Sequence, residues 1–126
     1  MMYHLLLPID ESNHRAKKTV NTVRDFPTDS DNLRSTILYV SENGATEAPE
    51  SVTTAAAQLE EAGCEVETTI KNGYPPEEIV NQVEELDVDH VLMVGREKTT
   101  SGKILFGSAT ESVMESVDVP VTVVKE

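Results

Sequence analysis

The sequence contains one cysteine among its 126 residues, so an intramolecular disulfide is excluded. We expect this residue, Cys64, to be a small buried side chain in or beside a strand rather than a reactive thiol. No apolar run approaches the roughly 20 residues of a membrane span, and no basic segment followed by an apolar one indicates a secretory signal. We therefore expect a cytoplasmic protein with no membrane association, folded as a single domain over residues 1–126.

Basic residues are also scarce, since ten lysines and arginines stand against 23 acids, for a net charge of -13. The acid excess lies in residues 31–94, which carry a net charge of -12. Such a field repels the phosphates of nucleic acid, so no nucleic-acid partner is expected. A salt-rich cytoplasm would screen the repulsion between these acids, which favours a halophilic origin. An acidic surface that only keeps the protein in solution is the alternative.

The sequence lacks the usual motifs of catalysis and metal binding. Its three histidines, His4, His14 and His90, are scattered and have no metal-ligand spacing with each other or with the cysteine. There is no Gly-x-Ser-x-Gly elbow, no Walker loop and no dinucleotide-binding glycine pattern. We therefore predict no catalytic residues and no metal site formed by the protein alone.

The chain does contain apolar runs that alternate with segments of helical periodicity. Ala16, Val20 and Val23, for example, recur at helical spacing after Ser12, which is a candidate N-cap. The alternation of five strands with four helices predicts an α/β fold with a parallel sheet covered by helices on both faces. The predicted strands are residues 3–9, 36–40, 64–70, 90–94 and 119–124.

Two strand ends carry residues suited to a ligand. In sheets of this class ligands bind beyond the carboxyl ends of the strands, and Asp10 and Gly95 end the first and fourth strands. Asp10 could bond ribose hydroxyls or help to hold a metal through a phosphate, or it could cap the following helix. Gly95 would allow a sharp turn or the close approach of a ligand.

Residues 95–107 form a basic segment within this acidic chain, and we expect a loop here. They include Arg96, Lys98 and Lys103 but only one acid, for a local charge of +2. An anion would meet less repulsion here than along the acidic middle of the chain. Bases that are merely solvated on a loop are the alternative.

A helix start follows this segment at Gly107 and Ser108. Free backbone N–H groups and the helix dipole at such a start attract phosphate. Ser108 also has Glu111 three residues later, which predicts a capping box. The pair therefore indicates either a phosphate site or an ordinary helix cap.

Five sequence blocks together resemble the universal stress protein family over nearly the whole chain. The blocks at 102–114 (GKILFGSATESVM) and 119–124 (VPVTVV) are specific in their order and spacing. The others are LLLPIDES at 5–12, ILYVS at 37–41 and DHVLMVGR at 89–96. The resemblance implies an open five-stranded parallel sheet of order 3-2-1-4-5, in an adenine nucleotide alpha hydrolase-like fold.

The resemblance also implies a nucleotide site. Family members that bind ATP carry a Gly-x-x-Gly-(nine residues)-Gly-(Ser/Thr) loop, which here matches Gly95, Gly107 and Ser108. Asp10 matches the acidic residue near the ribose and phosphates. Val40 matches the position whose backbone approaches adenine.

The loop departs from the family motif in two ways. Lys98 replaces the second glycine, and the spacing from Gly95 to Gly107 is one residue shorter. Residues 102–108 match the variant Gly-Lys-x-x-Phe-Gly-Ser, which recurs in the family. With this path, Lys98 and Lys103 would contact phosphate directly.

The function implied is a stress-response or signalling module that binds ATP, AMP or another adenine nucleotide together with Mg²⁺. The resemblance implies a homodimer formed through residues 119–124, and an apolar edge strand favours such pairing. Hydrolysis of ATP should be slow or absent, because no base or water-positioning residue is evident. A dimeric protein-interaction module that binds no nucleotide, and an enzyme acting on a small phosphorylated or adenylated substrate, are the alternatives.

Overall fold

The computed structural model describes the backbone of residues 2–100 and 103–126 and the side chains of residues 2–96 and 106–126. None of the helices in these described ranges is long and apolar enough to cross a membrane. The helices are α1 (Asn13–Arg24), α2 (Glu50–Glu61), α3 (Pro75–Leu86) and α4 (Ser108–Ser116). The strands are β1 (Tyr3–Pro8), β2 (Leu33–Ser41), β3 (Glu65–Asn72), β4 (His90–Gly95), β5 (Glu97–Thr100), β6 (Lys103–Phe106) and β7 (Val121–Lys125).

Five parallel strands form the central sheet in the order β3-β2-β1-β4-β7. This is the predicted 3-2-1-4-5 order, since β7 is the fifth strand of this sheet. The chain leaves β1 toward β2 and β3 on one side and returns to β4 and β7 on the other. The carboxyl ends of β1 and β4 therefore form the switch point at which sheets of this class bind ligands.

Each face of the sheet is covered by two helices. Successive residues of a strand point to opposite faces, and Leu5 and Leu7 accordingly pack in the core cluster beneath α1 and α2. Leu6 packs on the other face, beneath α3 and α4. Val20 and Val113 are buried parts of the predicted helical stripes. The predicted α/β architecture with helices on both faces is confirmed.

Cys64 is buried immediately before β3, as expected. Burial raises the pKa of its thiol, and a hydrogen bond with Ser30 opposes that rise only in part. A raised pKa leaves little of the reactive thiolate at neutral pH. The residue is therefore a packing group in this fold.

The prediction of a loop between Gly95 and Gly107 is wrong, because an antiparallel hairpin of β5 and β6 lies there. Residues Glu97–Thr100 lack the apolar–polar alternation by which a half-buried strand is recognised. Pairing with β6 satisfies their backbone instead, from Glu97 opposite Phe106 to Thr100 opposite Lys103. A short strand stabilised by its partner carries little periodic signal of its own.

The capping box predicted at α4 is also wrong, although the helix begins at the expected residue. Gly107 is the N-cap, no described side chain caps the helix, and the Glu111 N–H donates to the Gly107 carbonyl at 3.2 Å. Ser108 is therefore already the first helical residue rather than the cap. At α1 the prediction is confirmed, since the Ser12 hydroxyl accepts the Arg15 N–H at 3.2 Å.

Candidate functional site

A cleft of about 610 Å³ opens at the carboxyl ends of β1, β2 and β4. It brings together five of the residues that the sequence proposed for a ligand site. Those residues are Asp10, Val40, Arg96, Gly107 and Ser108. The side chains of Lys98 and Lys103, also proposed from the sequence, lie outside those that the structure describes.

Gly95 is buried at the end of β4 and is not among the residues that line the cleft. A Cβ atom added there would stand 2.5 Å from Cδ1 of Phe106 and 3.1 Å from Cγ1 of Val123. A contact of 2.5 Å is closer than real Cβ atoms allow, so the ring of Phe106 would have to move. The structure therefore explains Gly95 by the packing of Phe106 above it, whereas the sequence suggested a sharp turn or a close approach to a ligand.

Asp10 lies in the turn after β1, and hydrogen bonds hold its carboxylate on both oxygens. Its Oδ1 accepts the Ser12 N–H at 2.9 Å, and its Oδ2 accepts from Arg15 Nη2 at 2.7 Å and Arg96 Nη2 at 3.2 Å. Burial raises the pKa of this carboxyl, but these bonds outweigh burial and hold the pKa below its ordinary value. Asp10 is therefore ionised at neutral pH, and it is Ser12, not Asp10, that caps α1.

Arg15 is a residue of the cleft that the sequence reasoning missed. Its guanidinium bridges two carboxylates, with Nη2 2.7 Å from Asp10 Oδ2 and Nη1 2.5 Å from Glu126 Oε2. Helical side chains tilt toward the helix N-terminus. Because Ser12 caps α1, residue 15 falls in its first turn and leans back toward Asp10. That spacing was a signal that could have revealed the ion pair.

Buried hydroxyls fix the turn that carries Asp10. The Ser51 Oγ donates to the Asp10 carbonyl at 2.6 Å, which ties the turn to α2. The Tyr39 hydroxyl donates to Glu11 Oε1 at 2.8 Å, which ties the turn to β2. The carboxylate of Asp10 is thus held by its own bonds and by the anchoring of its backbone.

Val40 borders the cleft where β2 extends beyond β1. The pairing of β1 with β2 ends at Pro8 opposite Leu38, whereas β2 continues beside β3 to Ser41. The Leu38 carbonyl accepts the Ile9 N–H at 3.0 Å, so the backbone groups of residue 38 face β1. Alternate residues of a parallel strand bond to the same neighbour. The N–H and carbonyl of Val40 therefore also face the β1 side, toward the cleft.

The first turn of α4 forms the opposite wall of the cleft. Residues 108–110 line it, and the N–H groups of a first turn have no acceptor within their own helix. Gly107 precedes them with a φ of -65°, which any residue can adopt. A Cβ atom at Gly107 would meet only Cβ of Arg96, at 3.9 Å. Packing therefore does not require a glycine at this position.

A second cavity, of about 280 Å³, lies beside α3 and is less suited to an anion. Its charged lining consists of Lys71 and the three acids Glu78, Glu84 and Glu85. The main cleft also has three acids, Asp10, Glu11 and Glu42, but it contains two guanidinium groups, and that of Arg96 belongs to the residue bonded to the start of α4. Phosphate would therefore be repelled from the second cavity and attracted to that side of the main cleft.

The model of the Universal stress protein family matches residues 1–125. The chain belongs to the universal stress protein family. A curated member, universal stress protein MJ0577 of Methanocaldococcus jannaschii, is 43% identical over 68 residues, which are 54% of this chain and 42% of that one. The matched parts of this universal stress protein span less than half the length of the curated relatives it matches.

Solved structures of similar proteins share the fold along the whole chain. The structure of MJ0577 is 30% identical with a TM-score of 0.81 and covers 100% of this universal stress protein and 98% of its own chain. A universal stress protein in complex with cAMP is 17% identical, with a TM-score of 0.78 and coverage of 98% and 97%. A family member from Arabidopsis thaliana with AMP bound is 15% identical, with a TM-score of 0.69 and coverage of 98% and 92%.

Proposed function

We propose that this protein is a stress-response or signalling module that binds an adenine nucleotide in the cleft at the switch point. The observation that carries the proposal is the convergence of Asp10, the exposed strand backbone at Val40 and the first turn of α4 on one cleft. Its volume of about 610 Å³ falls within the range of small-ligand pockets. The relatives bound to cAMP and AMP support an adenine ligand.

In the proposed complex each wall of the cleft has a separate task. The backbone of Val40 faces the adenine ring, while the N–H groups of the first turn of α4 bind phosphate. Asp10 lies between them, beside the ribose and phosphates. Lys98 and Lys103 of the hairpin are additional phosphate contacts in this proposal. ATP is the first ligand to test. Compared with AMP, its additional phosphates offer more oxygen acceptors to these cations and N–H groups.

Isothermal titration of the full chain with ATP and with AMP, in the presence of Mg²⁺, tests the proposal. We expect saturable binding, and we expect Gly107→Ala to weaken it because the new methyl group stands at the start of the phosphate-binding turn. Ala57→Val, on the exposed face of α2, is the control for adding carbon atoms to a helix away from the cleft. The absence of heat for the natural protein at high ligand concentration would reject nucleotide binding.

The proposed assembly is a cytoplasmic homodimer formed through residues 119–124. The two edges of the central sheet differ, because β3 presents Glu65 and Glu67 whereas the last strand presents partly buried valines. Charged side chains on an edge oppose pairing with another chain, and apolar ones permit it. Sedimentation equilibrium should give twice the mass of one chain, and a single-chain mass at all concentrations would reject the dimer.

A nucleotide-independent interaction module of the same family is the second candidate. It is favoured by the engagement of both Asp10 oxygens by protein donors. Denaturing the freshly purified protein and separating the released small molecules by anion exchange distinguishes the two. Co-purified adenine nucleotide supports the first candidate, whereas no nucleotide before or after incubation with ATP supports the second.

A further inference from the structure

The carboxylate of Asp10 already has the positive charge that a metal ion would supply. Its Oδ2 accepts from the guanidinium groups of both Arg15 and Arg96, at 2.7 and 3.2 Å, and its Oδ1 accepts the Ser12 N–H at 2.9 Å. Arg15 Nε makes additional contacts at 3.0 Å to Oδ2 and 3.3 Å to Oδ1. An ionised carboxylate offers about four acceptor positions. These donors occupy them, so a cation would have to displace a guanidinium group.

Two neighbouring carboxylates are also bonded to protein donors. Glu11 accepts the Tyr39 hydroxyl at 2.8 Å, and Glu126 accepts from Arg15. Within residues 2–96 and 106–126, no group of three or more His, Cys, Asp or Glu side chains could hold a metal ion. Mg²⁺ bound with a nucleotide takes its oxygen ligands, at about 2.0–2.1 Å, from the phosphates, from water and from one or two carboxylates. Asp10, Glu11 and Glu126 are each bonded to protein donors, so they do not fit that role for the Mg²⁺ that the family resemblance implies.

The two guanidinium groups on Asp10 differ in how firmly they are held. The side chain of Arg15 is 18% exposed and bonded to two carboxylates. The side chain of Arg96 is 67% exposed, and its ion pair with Asp10 is a single contact at 3.2 Å. An exposed ion pair of this kind is weak, because water screens it. Arg15 can thus remain on Asp10 while Arg96 turns to a stronger partner.

The backbone of Arg96 places its side chain beside the proposed phosphate site. Its carbonyl accepts the Gly107 N–H at 3.1 Å, which fixes it next to the first turn of α4. From there its guanidinium reaches across the cleft to Asp10. Arg96 is therefore adjacent to the first turn of α4 and lines the same cleft.

We infer that Arg96 takes the place of a divalent cation at the nucleotide phosphates, so that this protein binds its nucleotide without Mg²⁺. The inference rests on the proposed function and names the cation of that same site. On binding, Arg96 exchanges its contact with Asp10 for charge-assisted hydrogen bonds to phosphate oxygens, which its planar fork can make in pairs. Arg15 continues to neutralise Asp10, so the carboxylate does not repel the phosphates.

Titration of the full chain with ATP, in excess Mg²⁺ and separately in excess EDTA, tests the inference. We expect the two dissociation constants to agree within about threefold, a small difference in free energy. In EDTA, Arg96→Gln should weaken ATP binding by about tenfold or more, as for the loss of a hydrogen bond between charged groups. The same variant should leave the binding of adenosine unchanged, because adenosine has no phosphate.

Arg34→Gln is the matched control, since Arg34 is another partly exposed arginine with ion pairs, to Glu65 and Glu67, at the start of β2. It makes the same change in net charge away from the cleft. ATP binding that disappears in EDTA, or equal affinities of Arg96→Gln and Arg34→Gln for ATP, would overturn the inference and leave the proposed function intact. If the natural protein binds neither ATP nor adenosine in either buffer, the proposed function fails and the inference with it.

Discussion

The two ends of the central sheet carry polar clusters of opposite character. At the carboxyl ends, Asp10, Arg15 and Arg96 are charged and line an open cleft. At the amino ends, the imidazoles of His4 and His90 bond to hydroxyl groups. The charged groups at the amino ends, such as Arg34 with Glu65 and Glu67, form partly exposed ion pairs, whereas the imidazoles lie where the chain closes over them.

His90 illustrates the closed end of the sheet. Its Nδ1 lies 2.9 Å from the Tyr3 hydroxyl and its Nε2 lies 2.7 Å from Oγ1 of Thr122. The ring of Phe26 stacks on Tyr3 at 5.8 Å and meets the imidazole edge-on at 5.5 Å. The polar atoms are satisfied and covered by aromatic rings, which is the arrangement of a structural cluster rather than a binding site.

Burial acts in both clusters, but the partners determine the result. Burial lowers the pKa of His4 and of His90, because it disfavours the charged imidazolium. Burial also disfavours the charged form of Asp10, yet two guanidinium groups and a backbone N–H reverse that effect. A charge persists at the carboxyl end because the protein places opposite charge beside it, and the same placement makes that end suitable for an anionic ligand.

The largest effect on stability is expected for Gly95→Ala. This variant tests a residue at the carboxyl end of the sheet that serves packing and not a ligand. Gly95 lies at the carboxyl end of β4, but its environment is packing rather than ligand. Overpacking against Phe106 and Val123 should lower the free energy of unfolding by about 2 kcal/mol, measured by urea denaturation. Gly107→Ala should cost less than about 1 kcal/mol, because a Cβ atom has room there. Equal costs at the two glycines would contradict the packing explanation.

A smaller loss of stability is expected for Thr36→Val, at the amino end of the sheet. Thr36 and His4 are both buried, and Thr36 Oγ1 lies 2.7 Å from His4 Nε2. The isosteric change leaves a buried ring nitrogen unsatisfied, which should cost about 1 kcal/mol or more of unfolding free energy. Thr54→Val, at an exposed position of α2, is the control and should change little. A cost no greater than that of the control would mean that the histidine bond does not stabilise the fold.

The pH dependence of stability should separate the two ends. The folded pKa values of His4 and His90 lie below the ordinary 6.5, so their contribution is complete above pH 6.5 and is lost as the pH falls below it. The folded pKa of Asp10 lies below 3.8, so its contribution is lost only at more acidic pH. Thermal unfolding should therefore show a first decline in midpoint below pH 6.5, and Asp10→Asn should leave that decline in place.

The smallest effect on stability is expected for Arg96→Gln at the open end. Its exposed ion pair with Asp10 should contribute no more than about 0.5 kcal/mol to unfolding. Urea denaturation of this variant should nearly superimpose on that of the natural protein, although its ATP binding changes. A loss comparable to that of Thr36→Val would show that Arg96 is structural and would weaken the comparison between the two ends.

Local patterns predicted the parts of the fold whose signal repeats along the chain. The run at 3–9 and the stripe of Ala16, Val20 and Val23 identified β1 and α1 because a strand and a helix bury side chains at fixed intervals. The hairpin of β5 and β6 was missed because its strands are short and are recognised only as a pair. The place of the cleft was predictable for a similar reason, since the carboxyl ends of parallel strands share one edge.

The sequence by itself determined the alternation of strands and helices, the Ser12 cap and the few basic residues available to an anion, because each of these depends on neighbours along the chain. Only the tertiary structure decided that Gly95 packs under Phe106 and that Arg96 contacts Asp10. Those contacts join residues as far as 86 positions apart. Distances between such residues are set by the packing of the whole sheet, and no local pattern encodes them.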